Sequence, residues 1–197
     1  LTQSPDGRVV VAQHGGFNPH GLVVLDASSG KALQRIPLKS AWLGLAWSPD
    51  GSELYVSGGN ATSRRDPSRA PVYVFGYAGG KLTEKPVRQF DETVPGERIY
   101  WSGLARHGAR NLLYAANRGT GNEPGYVAVF DTQSGRLLDR IPVEVNPYDL
   151  VLSPDNAELY VSNWASDSVS VIDTEARRVT AVWAVGDNPN DMLLSRD

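Results

Sequence analysis

A short motif that returns along the chain constrains its fold more than any other feature of the 197 residues. Ser4-Pro5-Asp6-Gly7 recurs as Ser48-Pro49-Asp50-Gly51, and residues 153–156 read Ser-Pro-Asp-Asn. Proline presets φ, Asp accepts local backbone hydrogen bonds and Gly accepts a positive φ, so the motif is a tight turn. Each copy is followed by apolar strand-forming residues such as Leu54-Tyr55-Val56. The chain is therefore built from repeats, which must be recognised before the fold can be interpreted.

The spacing of equivalent residues gives the length of the repeat. Val11 precedes Tyr55 by 44 residues, and the next equivalent tyrosines, Tyr114 and Tyr160, follow at intervals of 59 and 46. In the third copy the turn is degenerate, because residues 107–110 read His-Gly-Ala-Arg. Four short strands in about 44 residues is the period of a β-propeller blade. No segment shows a convincing helical period, so the sequence predicts an all-β chain.

The predicted fold is a β-propeller of about four blades, each with four antiparallel strands A, B, C and D. The predicted blades cover approximately residues 1–38, 39–90, 91–143 and 144–185, with the first strand of a further blade in 186–197. Strand A is predicted at residues 43–47, 102–106, 149–152 and 191–194. An open β-sandwich is the alternative, but the regular period favours the propeller.

Composition excludes several classes of function. Nineteen Lys and Arg against 22 Asp and Glu give a net charge of −3, so we expect no polybasic surface and no nucleic-acid partner. No apolar run approaches the roughly 20 residues of a membrane helix, and no signal-peptide pattern is visible. Since the chain has no cysteine, it has no disulfide framework, no thiolate metal site and no Cys nucleophile.

Two strand-B segments, Leu54-Tyr55-Val56-Ser57 and residues 159–163 (Leu-Tyr-Val-Ser-Asn), resemble YVTN-type β-propeller repeats. Residues 41–60 and 18–21 (Asn-Pro-His-Gly) are similar to the N-terminal propeller of exported bacterial proteins that carry a phosphoesterase domain. The resemblance implies a periplasmic or extracellular location and a neighbouring domain, but no residue of the phosphoesterase domain is in this chain. The degenerate third turn and Gly76, which stands where strand C usually ends in Asp, depart from the pattern.

The number of predicted strands bears on the size of the ring. The first blade lacks most of strand A, and a lone strand A is expected at residues 191–194. We therefore expect the four blades to be part of a larger ring, seven-bladed by the resemblance. The alternative is a four-bladed ring in which the last strand completes the first blade.

The loops of variable length predict the binding face. In a meander, the B–C and D–A loops share one face, and here they are the long ones: residues 13–21, 58–71, 116–125 and 163–168 for B–C, and 91–100 for the longest D–A loop. Long loops on a rigid scaffold carry binding functions. The candidate binding residues on this face are His14, His20, Trp42, Asn60, Trp101, Asn117, Arg118, Tyr148, Asn163, Trp164 and Asn188.

Most of these candidates also have a structural interpretation. His14 and His20 would need a third convergent ligand to hold a metal, and His107 is expected on the opposite face. An arginine-rich loop at residues 64–69 could bind an anion or be a solvated loop. Asn-Pro pairs at 146–147 and 188–189 would shape a turn into strand A or contact a ligand. Trp42, Trp101 and Tyr148 recur at the start of strand A and would rim a central channel, whereas Trp47 and Trp183 would be core.

No catalytic motif is present: there is no Gly-x-Ser-x-Gly, no phosphate-binding glycine loop and no His-Glu-x-x-His. We therefore predict no catalytic residue, no metal and no cofactor. The favoured function is a binding or scaffold module whose partner is a protein, a neighbouring domain or a small molecule at the central channel. A lactonase-like hydrolase, an accessory propeller of a phosphoesterase and a segment contacting a redox cofactor held elsewhere remain alternatives.

Overall fold

A computed structural model describes residues 1–16, 19–60, 69–93, 98–119 and 121–195, with only the backbone described at 69, 70, 92 and 93. These residues form 17 β-strands and no helix. No helix that could cross a membrane is found in the described part of the chain. The chain divides into two compact units, Leu1–Trp101 and Ser102–Asp197, each of which contains two four-stranded meanders.

The first unit contains blades 1 and 2. Blade 1 is the sheet β1-β2-β3-β4, and blade 2 is β5-β6-β7 with an outer strand that is split into β8 and β9, both paired with β7. The strands are β1 Thr2–Gln3, β2 Val9–His14, β3 His20–Asp26, β4 Ala32–Leu38, β5 Leu45–Trp47, β6 Glu53–Ser57, β7 Arg69–Ala78, β8 Lys81–Leu82 and β9 Arg88–Thr93.

The second unit contains blades 3 and 4, with sheet orders β10-β11-β12-β13 and β14-β15-β16-β17. The strands are β10 Trp101–Arg106, β11 Leu112–Asn117, β12 Pro124–Asp131, β13 Leu137–Val145, β14 Pro147–Leu152, β15 Glu158–Asn163, β16 Ser168–Asp173 and β17 Arg178–Ala184. The predicted all-β fold of four antiparallel four-stranded blades is confirmed.

The prediction of a strand at residues 191–194 is wrong, because residues 185–195 contain no strand. The segment nevertheless lies beside blade 4: the Met192 N–H donates to the Asp149 carboxylate at 3.0 Å, and the Ser162 hydroxyl donates to the Asn190 carbonyl at 3.0 Å. A first strand is held by ladder hydrogen bonds to the second strand of its own blade. Residues 185–195 instead make these hydrogen bonds to blade 4 without forming a ladder.

The recurring turn is built by side-chain hydrogen bonds. In the turn before β6, the Ser48 hydroxyl donates to Asp50 Oδ1 at 2.6 Å and accepts the Glu53 N–H at 2.9 Å. Asp50 Oδ1 also accepts the Ser52 N–H at 3.1 Å, and Gly51 takes φ +71°. The hydrogen bond from Ser48 is the largest cause that lowers the pKa of Asp50 to about 2. The same geometry recurs at Ser4 and Ser153.

In the degenerate third turn, His107 stands at the position of Ser48 and its imidazole accepts the hydrogen bonds that close the turn. His107 Nδ1 accepts the N–H groups of Ala109 and Arg110, both at 3.2 Å. Burial, together with the positive charges of Arg110 and Arg106, lowers the pKa of His107. The neutral imidazole is thus the form that closes this turn, since a protonated Nδ1 cannot accept a hydrogen bond.

Each unit has its own apolar core between its two blades. In the first unit, Val11 and Val24 of blade 1 belong to one cluster with Leu54 and Phe75 of blade 2. In the second unit, Tyr114 and Val129 of blade 3 cluster with Leu159 and Ile172 of blade 4. These are sheet-to-sheet cores in which alternate strand residues face the next blade.

Candidate functional site

The predicted binding residues fall in both units. His14, His20, Trp42, Asn60 and Trp101 belong to the first unit, and the other six belong to the second. Residues 64 and 65 of the arginine-rich loop lie outside the described residues, as does the side chain of Arg69.

His20, at the start of β3, connects two loops of the first unit. Its Nδ1 accepts the Ala41 N–H at 2.8 Å, and its Nε2 lies 2.9 Å from the Gly16 carbonyl. The backbone N–H can only donate, so Nδ1 is the acceptor and Nε2 carries the proton that Gly16 accepts. Both ring nitrogens are therefore engaged in holding the first B–C loop against the segment that leads into blade 2. Exposed His14 lies opposite Gly21 in the sheet register.

Trp42 lies on the segment that precedes β5. Its ring meets Tyr100 edge-on, with 5.6 Å between centroids, and Tyr100 pairs with Asn60 in an isolated bridge. A side chain on Gly59, which has φ +66°, would come within 2.5 Å of Trp42 Cβ. Close backbone approach therefore fixes this aromatic residue in place. Among the described residues, its buried indole N–H has no hydrogen-bond partner.

Trp101 offers no exposed surface to a ligand, because its side chain is 0% exposed. Its backbone is tied to the end of β6: the Trp101 N–H donates to Gly59 at 3.0 Å, and the Ser57 hydroxyl donates to the Trp101 carbonyl at 2.8 Å. Sequence position placed this tryptophan at a channel rim beside Trp42, but the structure makes it part of the packed interior.

In the second unit, a cation and an aromatic ring from two different blades meet. The Arg118 guanidinium lies 6.0 Å from the centre of the Tyr148 ring, at the range of a cation–π contact. The pKa of Tyr148 is raised, mainly by burial. The charge of Arg118 lowers this pKa, and the charge of Asp191 raises it. Asn117, just before Arg118, is buried, and its Oδ1 accepts the Gly119 N–H at 3.2 Å. Asn117 therefore shapes the loop that presents Arg118.

Asn163 is a structural residue of blade 4. It is 0% exposed, and its Nδ2 donates to the hydroxyls of Ser168 and Ser170 at 3.1 and 2.9 Å. Its Oδ1 is buried and accepts no hydrogen bond from the part of the chain that the structure describes. Ser168 in turn donates to the Glu144 carboxylate. This buried polar chain connects the two ends of the last B–C loop, Asn163 and Ser168, and joins that loop to Glu144 of β13.

The neighbouring Trp164 is the aromatic residue that this loop exposes, at 36%. Its N–H donates to the Asn146 carbonyl at 2.9 Å, and its carbonyl accepts the Asn188 side-chain amide at 2.9 Å. Asn146 and Asn188 both have left-handed φ values, 54° and 52°, which asparagine tolerates better than most residues. The two Asn-Pro pairs are therefore turns, and both turns hold the backbone of Trp164.

Sequence reasoning missed Asp149, which lies in β14 next to Tyr148. Burial raises the pKa of this carboxyl, the N–H groups of Met192 and Leu150 lower it, and the Asp191 charge raises it further. The available signal was the repeated pattern Asn-Pro-x-Asp at 146–149 and 188–191, of which only the Asn-Pro part was interpreted. In the described residues, no three His, Cys, Asp or Glu side chains converge as a metal site.

No protein-family description matches the sequence. No curated protein matches it either. Among solved structures, the chain is similar to the hydrazine synthase of Kuenenia stuttgartiensis, with a TM-score of 0.69 at 20% identity. This chain has a β-propeller fold. The similarity covers 93% of the chain and 47% of that protein, so the chain spans about half its length, and at this identity the similarity shows the fold alone.

Proposed function

We propose that this chain is a β-propeller binding module of an exported bacterial protein, built from YVTN-type repeats. Its B–C and D–A loops bind a segment of a partner protein or of a neighbouring domain, such as the phosphoesterase domain that the sequence resemblance implies. The observation that carries this proposal is the exposed side chain of Trp164 in the second unit, whose backbone is held by hydrogen bonds to Asn146 and Asn188.

Preorganised aromatic and cationic side chains favour protein recognition, because little rotamer entropy is lost on binding. Trp164 supplies an apolar surface whose backbone is fixed by two asparagine turns. Arg118 stacks near Tyr148, so its guanidinium is oriented before a partner arrives. Tryptophan, tyrosine and arginine are the residue types enriched at the centres of protein interfaces.

Selection of peptides from a random library displayed on phage tests the proposal. We expect Trp164→Ala to lower the affinity of the selected peptides by at least about tenfold. Arg118→Ala should also lower their affinity. The control is Leu138→Ala, which removes a comparably exposed apolar side chain (46%) from strand β13. Binders that tolerate Trp164→Ala, or no binders at all, would contradict the proposal. Turnover of lactones by the purified chain, with or without divalent metal, would refute a non-catalytic role.

A further inference from the structure

The C–D connection of blade 2 differs from that of the other blades. In blades 1, 3 and 4 the third strand ends in Asp26, Asp131 or Asp173, whose carboxylates accept backbone N–H groups of the following turn. The equivalent residue of blade 2 is Gly76, which has no carboxylate to close a turn. Strand β7 instead runs on to Ala78, and β8 pairs with its end. The connection in blade 2 is therefore a longer hairpin.

Two glycines form the tip of this hairpin. Gly79 and Gly80 lie between the paired ends of β7 and β8, and have φ values of +58° and +81°. Positive φ at both positions of a two-residue loop is the geometry of a type I′ turn. A Cβ on Gly80 would lie 3.9 Å from Val9 Cγ1 of blade 1, whereas a Cβ on Gly79 would have no described atom within 4 Å. The tip therefore stands beside blade 1, with Gly80 directed towards it.

Each strand of the hairpin is tied to blade 1. From β7, the Tyr77 hydroxyl donates to the Asp6 carboxylate at 2.9 Å. From β8, the N–H and the carbonyl of Leu82 both bond the Gln34 side chain at 2.9 Å. The space between the hairpin tip and blade 1 therefore has two fixed walls, and both walls belong to neighbouring blades of the first unit.

This space is a groove of about 590 Å³, which is within the size range of small-molecule sites. Blade 1 lines it with residues that include Arg8, Asp26 and Leu33, and the hairpin lines it with Gly79, Gly80 and Lys81. The Leu33 side chain is 46% exposed, so the groove offers an apolar surface beside its charged groups.

The lining of the groove carries an excess of positive charge. Lys81 is exposed, and its ammonium makes no ion pair or hydrogen bond with a described residue. Arg8 Nε lies 3.8 Å from Asp6 Oδ2 at an exposed position, which makes a weak ion pair. Asp26 is ionised at neutral pH, since hydrogen bonds, above all that from the Ser28 hydroxyl, lower its pKa to about 2. Two cations and one carboxylate favour a ligand with a single negative charge.

In the second unit, the corresponding place between two blades is bridged by an ion pair. Arg110 of blade 3 contacts Glu175 in the C–D turn of blade 4. The first unit has Gly7 at the repeat position of Arg110, and its hairpin, residues 77–82, contains no acidic residue. A place that an ion pair fills in one unit is therefore a groove lined by cations in the other.

We propose that this groove binds a small organic carboxylate, with the carboxylate between Lys81 and Arg8 and the aliphatic part against Leu33. Lysine and arginine bind carboxylates through charge-assisted hydrogen bonds, and the apolar surface favours an aliphatic ligand over an inorganic anion. Asp26 repels a second negative charge, so a phosphate dianion fits less well. The groove lies among the A–B and C–D turns, at the other end of the strands from the B–C and D–A loops, so this inference is independent of the proposed function.

Titration of the isotope-labelled chain with hexanoate, followed by the NMR shifts of its amide groups, tests the proposal. We expect saturable shifts at Gly79, Gly80 and Lys81, and no such shifts with 1-hexanol. Lys81→Ala and Arg8→Ala should each raise the dissociation constant by about threefold. Lys85→Ala, which removes an exposed lysine of blade 2 that does not line the groove, should leave it unchanged.

Two substitutions at the hairpin tip test the space itself. Asparagine tolerates positive φ, so both glycines can be replaced without a change of turn. Gly80→Asn places a side chain in the groove and should weaken hexanoate binding by at least about tenfold, whereas Gly79→Asn should not change it. Far-ultraviolet circular dichroism confirms that each variant is folded. Absence of saturable shifts, equal affinity of the two Asn variants, unchanged affinity of Lys81→Ala, or tighter binding of inorganic phosphate than of hexanoate would overturn the proposal.

Discussion

The side chain of Gln34 joins blade 1 to blade 2, and its removal should destabilise the first unit measurably. Gln34 Nε2 donates to the Leu82 carbonyl at 2.9 Å, and Gln34 Oε1 accepts the Leu82 N–H at 2.9 Å. Leu82 is buried within the apolar cluster that both blades share. The amide therefore satisfies both backbone groups of one buried residue, as a strand neighbour would.

The expected cost of Gln34→Ala follows from these two bonds. Each hydrogen bond contributes about 1 kcal/mol net, and a buried backbone group left unpaired costs about 1–3 kcal/mol. Gln34 is partly exposed, so water can enter the space that the truncation leaves and lower the penalty. We expect a loss of about 2 kcal/mol, which for a chain of this size lowers Tm by roughly 4–8 °C. Gln89→Ala, which removes an exposed amide bonded to Asp91, is the matched control.

Gln34→Glu gives the sharper test, because it keeps the shape and removes only the donor. At neutral pH the carboxylate would face the Leu82 carbonyl, which cannot donate to it. The folded-state pKa of this Glu should therefore lie above its unfolded value near 4.3. Its stability relative to the unmodified chain is then greatest below about pH 4 and is lost as the pH rises through the folded pKa. Urea unfolding across this range measures the change, and a pH-independent difference would refute the assigned hydrogen bonds.

Three further predictions concern single turns and a close contact. Because the pKa of His107 is lowered in the folded state, we expect the free energy of unfolding to fall as the pH drops below about 6.5. In urea unfolding, His107→Asn should flatten this pH dependence, and the control His14→Asn should not. The pKa of about 2 for Asp50 predicts stability that is lost as the pH falls from about 4 towards 2, a loss that Asp50→Asn should remove from acid unfolding curves. Gly125→Ala should lower Tm strongly, because its Cβ would lie 2.5 Å from the Asn117 carbonyl oxygen and from Pro147 Cδ. Gly121→Ala, whose Cβ would have no described atom within 4 Å, should leave Tm nearly unchanged.

The blades could be predicted from the sequence because their signals are local. A Ser-Pro-Asp turn builds itself from its own side chains, and the strand that follows alternates within a few residues. Even the degenerate third turn keeps its place, since His107 Nδ1 accepts backbone N–H groups within its own turn, as Asp50 Oδ1 does in the second blade. Strand positions were therefore predicted within a few residues, except at 191–194, where the structure has hydrogen bonds from blade 4 to Asn190 and Met192 but no strand.

Side-chain roles could not be predicted in the same way, because they depend on contacts between distant residues. From their positions in the repeat, Trp101 was expected at a channel rim and Trp183 in the core. Trp101 is fully buried and Trp183 is half-exposed. His20 has the residue type of a metal ligand, but its two ring nitrogens are already engaged with Gly16 and Ala41. The sequence holds no local sign of either outcome.

The repeat itself supplies the missing information once the structure fixes its register. Because strand residues alternate between the two faces, the position of Tyr114 in its blade assigns Tyr160 to the face that meets a following blade. Trp183 lies on that face of blade 4 and is 50% exposed, whereas Ile141, at the equivalent position of blade 3, is 1% exposed. In a repeat protein, each residue can be compared with its equivalents in the other copies, so the packing of one blade interface predicts which residues of another blade face its neighbour.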